Sequence, residues 1–310
     1  MWRRLQLAPM VFMLACELEP ELGGFGPVSS TSEAFGSTLL VPPLQPEAPK
    51  KPSLPPLRIA TWNLRWLHAL DGHGPVPRTA SDYTRLAAYA RRLDADVIAL
   101  QEIDGPEAAR RLLDPDAYRF HFVDHGTAQQ VGFAWRHGVP VVATGRVDAL
   151  AGDGLRPGVT IDLQLASRRI VLLGVHLKSG CAHPSQTTGA ACERLFVQAD
   201  RIADWLEARK SEGADLMMIG DFNRHFAGNG EFWTRMERGA SLVDLAGGLR
   251  ATCWAAIDGR FVDRFVFDTP AARWLRPGPV TQWTYDIDDA PSLPSLSDHC
   301  PLSVELHPAG

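Results

Sequence analysis

Apolar runs in this chain stop, one after another, on a polar side chain. Leu57-Arg-Ile-Ala-Thr-Trp-Asn63 alternates, turns apolar and ends on an amide, while Asp96-Val-Ile-Ala-Leu-Gln-Glu102 ends on a polar pair. Arg169–Leu177 carries His176 at its end, and Asp215-Leu-Met-Met-Ile-Gly-Asp221 closes on a carboxylate. Short apolar runs of this kind read as buried strands. A layered α/β fold places the ends of such strands in clefts, where rigid scaffold holds their side chains. Each residue has an ordinary alternative: Asn63 a turn former, Glu102 a surface charge, His176 a satisfied core histidine, Asp221 a helix cap. It is the recurrence that constrains the fold.

The other elements follow from periodicity. Ser81 is placed to cap a helix whose apolar positions Tyr83, Leu86, Ala90 and Leu93 keep helical spacing. A second helix is expected over Glu193–Arg209, with its stripe at Leu195, Ala199, Ile202 and Leu206. Further strands are expected at Tyr118–Asp124, Val131–Arg136, Val159–Leu165, Phe261–Phe267 and Ser303–Leu306. Many strands in hairpin-like runs, separated by few helices, imply two packed sheets with helices outside.

With 310 residues, 45% hydrophobic and 22% charged, the chain can build one large domain or two small ones without a metal or disulfide staple. A net charge of −5 supplies no overall basic field. That argues against a histone-like or sequence-reading DNA binder and leaves room for an enzyme that meets a phosphate locally. The amino terminus opens with a basic Met1-Trp-Arg-Arg4 and an apolar stretch from Leu5 to Ala15, far short of the ~20 residues a membrane-crossing helix needs. It is expected to be an export signal. Met13-Leu14-Ala15-Cys16 resembles the bacterial lipoprotein signal, in which a small residue precedes a cleaved and lipidated Cys. Met13 stands where Leu is commoner, and a plain cleaved signal with an incidental Cys16 is the alternative. Residues 17–56, rich in Pro, Gly, Ser and Glu, are expected to form a disordered tether ahead of a folded domain over 57–310. Beyond Cys16 the cysteines form an even set for an oxidising compartment. Cys181 and Cys192 flank a Gly/Ser/Thr/Pro-rich loop and look like a local pair; for Cys253 and Cys300 a long-range bridge and simple packing both stand.

The polar strand ends lie in a set of ordered segments that also includes two later ones. These are Ala60-Thr-Trp-Asn63-Leu, Leu100-Gln-Glu102, Val175-His176-Leu-Lys178-Ser, Gly220-Asp221-Phe-Asn223, Val262-Asp263-Arg-Phe-Val-Phe267 and Ser297-Asp298-His299-Cys-Pro301. The set resembles the endonuclease/exonuclease/phosphatase family, the superfamily of DNase I, exonuclease III and the neutral sphingomyelinases. Gly-Asp-Phe-Asn and Ser-Asp-His are highly specific matches, and Leu-Gln-Glu a moderate one. The resemblance implies an α/β fold, a four-layer sandwich of two mostly antiparallel β-sheets flanked by helices, with residues 57–310 as the catalytic domain. His176-Leu-Lys178-Ser in particular resembles secreted bacterial nucleases of that family.

The chemistry accounts for the residue types. Phosphodiester hydrolysis needs charge neutralised on the nonbridging oxygens, an activated water in line and a stabilised leaving oxygen. Mg2+ is a hard cation that takes carboxylate and amide oxygens, with Mn2+ or Ca2+ able to substitute or assist. Glu102 is its expected principal ligand, with Asn63 and Asp298 completing or supporting the site. His299 would orient or deprotonate the attacking water, and Asp263 would fix its tautomer and stabilise its cation. The resemblance implies that Asp221 positions water or metal and that Asn223 donates to a phosphate oxygen. A protonated His176 would act as general acid or stabilise the pentacovalent phosphorane. Lys178, two residues on along the strand, would share the face of His176 and meet a phosphate, or else be a solvated rim lysine. Asn63, Arg224 and His225 are further candidates for substrate contact.

Family resemblance leaves the substrate open. The first expectation is a secreted, monomeric nuclease that cleaves DNA, or RNA, with little sequence preference and touches a membrane only through its lipid anchor. The alternative is a phosphodiesterase of phospholipid head groups, a branch that usually adds an exposed apolar docking hairpin; none is evident here. A non-catalytic binding module is opposed by the intact set of catalytic side chains. The charge of −5 counts against duplex binding, which rests on phosphate contacts, unless arginines gather at the cleft.

Overall fold

The computed structural model describes residues 54–309 except 229 and 256–258. The expected signal with Cys16, and the tether as far as residue 53, lie outside the described residues. In chain order the strands of the first half are β1 (Leu57–Leu67), β2 (Val97–Ile103), β3 (Tyr118–Val123), β4 (Gln130–Arg136), β5 (Val141–Val147) and β6 (Gly158–Leu165). They are followed by β7 (Arg168–His176), β8 (Asp215–Asp221), β9 (Leu242–Asp244), β10 (Asp263–Asp268), β11 (Thr281–Gln282) and β12 (Leu302–Leu306). One six-stranded sheet runs β11-β12-β1-β2-β4-β3 and the other β5-β6-β7-β8-β10-β9. Helices α1 (Ala80–Leu93) and α2 (Gly105–Ala109) pack on the outer face of the first sheet, and α3 (Ala190–Ser211) and α4 (Glu231–Glu237) on that of the second. Two short helices, α5 (Thr269–Leu275) and α6 (Leu293–Leu296), complete the set. This is the two-sheet arrangement with outer helices that the strand pattern implied, and the four-layer α/β sandwich that the resemblance implied.

The apolar runs are continuous because both faces of each sheet are covered. In β8, Met217 and Ile219 enter the core between the sheets while Leu216 and Met218 meet α3 and α4. In β2, Val97 and Ala99 point inward and Ile98 and Leu100 toward α1 and α2. Each buried Leu, Ile or Met side chain contributes roughly 1.5–3 kcal/mol relative to exposure. The two helix stripes are buried as expected. The cap of α1 is Thr79 rather than Ser81, because Thr79 and Asp82 exchange reciprocal bonds that Ser81, with Thr84 three residues on, cannot make. Strand β5 escaped sequence reasoning: it pairs on one side only, with β6, and its mostly exposed residues carry no apolar alternation.

Two pairings among the described strands are parallel, β1 with β2 and β7 with β8. A parallel pair delivers both carboxyl ends to one edge. Regular pairing of β1 with β2 stops at Asn63 and Gln101, beside Glu102, and His176 stands in register with Asp221. Strand β10, antiparallel to β8, begins at that edge with Asp263 opposite Asp221. The topology gathers the polar ends.

Candidate active site

The second sheet reaches the cleft by close approach. Gly220 has φ +134°, and a Cβ there would fall 2.2 Å from the Val175 carbonyl oxygen, so only glycine lets β8 lie against β7 just before Asp221. The first sheet reaches it through distortion. Register is lost between Asn63 and Leu67 and between Leu100 and Ile103. Arg65, Trp66 and Glu102 take left-handed φ values of 45°, 57° and 53°. Such backbone costs an L-residue about 1–3 kcal/mol and persists where surroundings enforce it. The bulges re-aim Asn63 and Glu102 toward the second sheet.

The side chains form one continuous chain of contacts. Asn63 Nδ2 donates to Asp221 Oδ2 at 3.0 Å and lies 3.3 Å from Glu102 Oε1, while its Oδ1 accepts the Arg65 amide at 2.9 Å. His176 Nε2 lies 3.5 Å from Glu102 Oε1 and 3.6 Å from Asp221 Oδ2. The other oxygen of Asp221 accepts the Asn223 amide at 2.7 Å, and Asn223 Nδ2 donates to the Leu177 carbonyl at 3.0 Å. His299 Nδ1 donates to Asp263 Oδ2 at 2.7 Å, leaving Nε2 3.9 Å from Asp221 Oδ2. The loop that carries His299 is braced by Ser297, whose Oγ donates to the Asn63 carbonyl at 2.7 Å, and by Tyr285, whose hydroxyl donates to the His299 carbonyl at 2.9 Å.

Burial sets the charges. His176 is fully enclosed, and desolvation, with Arg156 and His299 nearby, holds its pKa well below the usual histidine value. That favours the neutral imidazole, with Nε2 turned toward the two carboxylates. Burial also opposes a charge on His299, but the Asp263 carboxylate and its hydrogen bond, with Asp221 and Asp298 behind, raise it to about 10. Asp221 is pushed up chiefly by burial and by neighbouring Asp263, against the pull of His299.

The residues fit a hard divalent cation. Glu102 and Asp221 present carboxylate oxygens around one shared amide and one histidine, the oxygen donors a hard cation takes. Asn63 turns N–H, not oxygen, toward them and acts as their clamp. Asp298 sits at the rim, with Oδ2 3.7 Å from Arg65 Nε. Asp221, Asp263 and His299 also bring ligand atoms within 4.8 Å of one another. A cation held by those three would displace the short His299–Asp263 hydrogen bond.

Other expected residues fall elsewhere. Strand β7 ends at His176, so Lys178 lies beyond it and its Nζ turns to the Ser179 carbonyl at 2.5 Å. Arg224 is 2% exposed and spends its guanidinium on the Cys181, Pro184 and Gln186 carbonyls, bracing the Cys181–Cys192 loop rather than facing substrate. Cys253 and Cys300 are bridged. That disulfide, with His225, Phe261 and Arg260, lines a cavity of about 240 Å³ against Asp263 and His299. Arg156 was not foreseen: it donates to the His176 and Leu177 carbonyls at 3.0 and 2.9 Å and to Gln129 at 3.1 Å. No motif surrounds it, and nothing in spacing would have singled it out.

A two-sheet α/β sandwich with carboxylates, an amide and a histidine–aspartate pair across its strand ends defines a phosphoester hydrolase. The chain belongs to the endonuclease/exonuclease/phosphatase family, which it matches over residues 60–299. Solved structures share the fold. TDP2 from C. elegans aligns with a TM-score of 0.59 at 16% identity, over 81% of this chain and 75% of that one. The human Nocturnin catalytic domain with bound sulfate anion gives 0.56 at 15% identity, over 81% and 93%. AP endonuclease LMAP from Leishmania major gives 0.55 at 16%, over 81% and 88%. Identities this low speak for the fold alone. No curated protein matches the sequence.

Proposed function

We propose that this chain is an exported, Mg2+-dependent phosphodiesterase that hydrolyses nucleic acid, DNA foremost, as a nonspecific endonuclease. The observation that carries this reading is the His299–Asp263 pair at 2.7 Å, with Nε2 facing Asp221 and the Asn63-clamped carboxylates beyond. Glu102, with Asp221 beside it and Asp298 at the rim, would hold Mg2+. Bound there, the cation would neutralise charge on the phosphate and the leaving oxygen. A cation bound nearby would oppose the charge on His299, and in its neutral form His299 takes the proton of the attacking water at Nε2 while Nδ1–H stays on Asp263. Asp221 orients that water. Asn223 has spent one amide N–H on Leu177 and keeps the other for a phosphate oxygen. His176 faces both carboxylates with Nε2 at 3.5 and 3.6 Å.

Further support is local. Arg65 stands at Asp298, Arg156 behind His176 and Arg260 on the adjoining cavity, which offsets the acidic net charge where a phosphate would bind. Two disulfides suit an exported protein, and Met13–Cys16 supports a lipid anchor with residues 17–56 as its tether. Large exposed apolar residues among the described ones, such as Leu70, Val142 and Ile287, fall in separate segments, which favours nucleic acid over a lipid surface. The test supplies the purified protein and Mg2+ with supercoiled plasmid, RNA, sphingomyelin and a simple phosphodiester. Plasmid nicking that EDTA stops is expected; turnover of sphingomyelin alone, or full activity in EDTA, overturns the reading. The mass of the mature amino-terminal peptide tests the anchor: a lipidated Cys16 supports it, and an unmodified terminus beyond Cys16 removes it.

A further inference from the structure

We propose that Arg78, which lies outside every motif above, is a positioning residue that sets Asn63 and the Ser297–His299 loop relative to each other. Its side chain is 1% exposed, and among the described residues no carboxylate forms an ion pair with it. Its guanidinium is spent on backbone carbonyls instead. Nε donates to Ser295 at 2.6 Å, Nη1 to Trp66 and Val76 at 3.3 and 3.4 Å, and Nη2 to Leu64, Arg65 and Leu296 at 2.8, 2.9 and 2.7 Å.

The acceptors come from two places that matter. Leu64, Arg65 and Trp66 form the bulge directly after Asn63, where pairing with β2 lapses and two residues turn left-handed. Their carbonyls have left the ladder and need donors. Ser295 and Leu296 directly precede Ser297, whose Oγ donates to the Asn63 carbonyl and accepts the His299 amide at 3.1 Å. One rigid fork thus holds the bulge that aims Asn63 and the loop that carries Asp298 and His299. A planar guanidinium can serve both sets of carbonyls at once, and the point charge of a lysine on a flexible stem cannot. A buried cation without a counterion is costly, so satisfied carbonyls on both sides are what make this one tenable.

The experiment compares wild type with Arg78→Lys and Arg78→Met in the full chain. It measures hydrolysis of bis(p-nitrophenyl) phosphate with Mg2+, normalised to folded protein by circular dichroism, and amide hydrogen exchange by mass spectrometry. Misplacement by about an ångström costs on the order of 10²-fold in rate, so kcat per folded Arg78→Lys molecule should fall by about that factor with KM little changed. Exchange should quicken in residues 63–67 and 295–299 while β8 and α3 keep wild-type protection. Arg78→Met should show the same pattern more strongly. Wild-type kcat with unchanged exchange in Arg78→Lys overturns the proposal. So does uniformly faster exchange at unchanged kcat per folded molecule, or failure of Arg78→Lys to fold, either of which makes Arg78 a general stability residue. The kinetic arm rests on the hydrolase reading and the exchange arm does not, so an inactive wild type with the expected local exchange faults the substrate and leaves Arg78 in place.

Discussion

The two sheets deliver polar strand ends to the same cleft by opposite means. In the second, His176 faces Asp221 through unbroken parallel register, and Gly220 lets the strands close together without strain. In the first, register breaks beside both Asn63 and Glu102, and residues with side chains are held left-handed. Regular pairing places His176 and Asp221, with Asn223, just past β8, held left-handed at 51°. The other half keeps strain in place through bonds from distant segments, Ser297 and Arg78 among them. A regular half should be intolerant of backbone change, and a strained half should gain stability when its functional residue is given up.

The largest expected effects are kinetic and should cross the divide between the sheets. Glu102→Gln should abolish Mg2+-dependent hydrolysis while circular dichroism stays native. His299→Ala should lower kcat by on the order of 10³–10⁴, Asp263→Asn by a similar factor, and the double variant little more. Additive losses in kcat would show that the pair does not act as a unit.

Next in size is the backbone test. Gly220→Ala drives a methyl group onto the Val175 carbonyl and should destabilise by about 3 kcal/mol in urea melts. A loss within a few tenths of a kcal/mol would mean that the regular half yields as easily as the strained one.

The pH tests bear on the pair at the junction. With the His299 pKa raised to about 10, its cation contributes to metal-free stability fully below about 6.5, and that contribution is lost as pH rises through about 10. Melts in EDTA should therefore fall in Tm across the alkaline range, and the fall should be absent in His299→Ala. The same anion holds the proton during turnover, so Asp263→Asn should move the rising limb of the pH–rate profile to lower pH by a unit or more, about 1.4 kcal/mol per unit. A limb that stays put would remove Asp263 from control of that proton.

Smallest is the converse backbone change. Glu102→Gly should be inactive yet about 1 kcal/mol more stable, since glycine accepts the φ of 53° and one of two crowded carboxylates is gone. Loss of stability instead would refute the idea of stored strain.

Most of the architecture was legible because burial on both faces leaves long apolar runs, and strands β2 and β8 are such runs. Strand β5, exposed at an edge, left no such mark. The cap of α1 went two residues astray because Ser81 and Thr79 are both good cap residues, and only the return bond from Asp82 decides between them.

Alone, the sequence determined which side chains end the strands, since apolar runs and the Gly-Asp-Phe-Asn and Ser-Asp-His segments are local features of order and spacing. Tertiary structure decided what each of them is. Enclosure pushes His176 toward its neutral form, and Asp263 at 2.7 Å pulls His299 toward its cation. Arg224 turned from the substrate face because nearby carbonyls claimed its donors. Arg78 and Arg156 gain their roles only through carbonyls brought to them by the fold, in one case across 218 residues. Charge state and hydrogen-bond partnership depend on desolvation and on contacts distant in sequence, and neither leaves a periodicity in the chain.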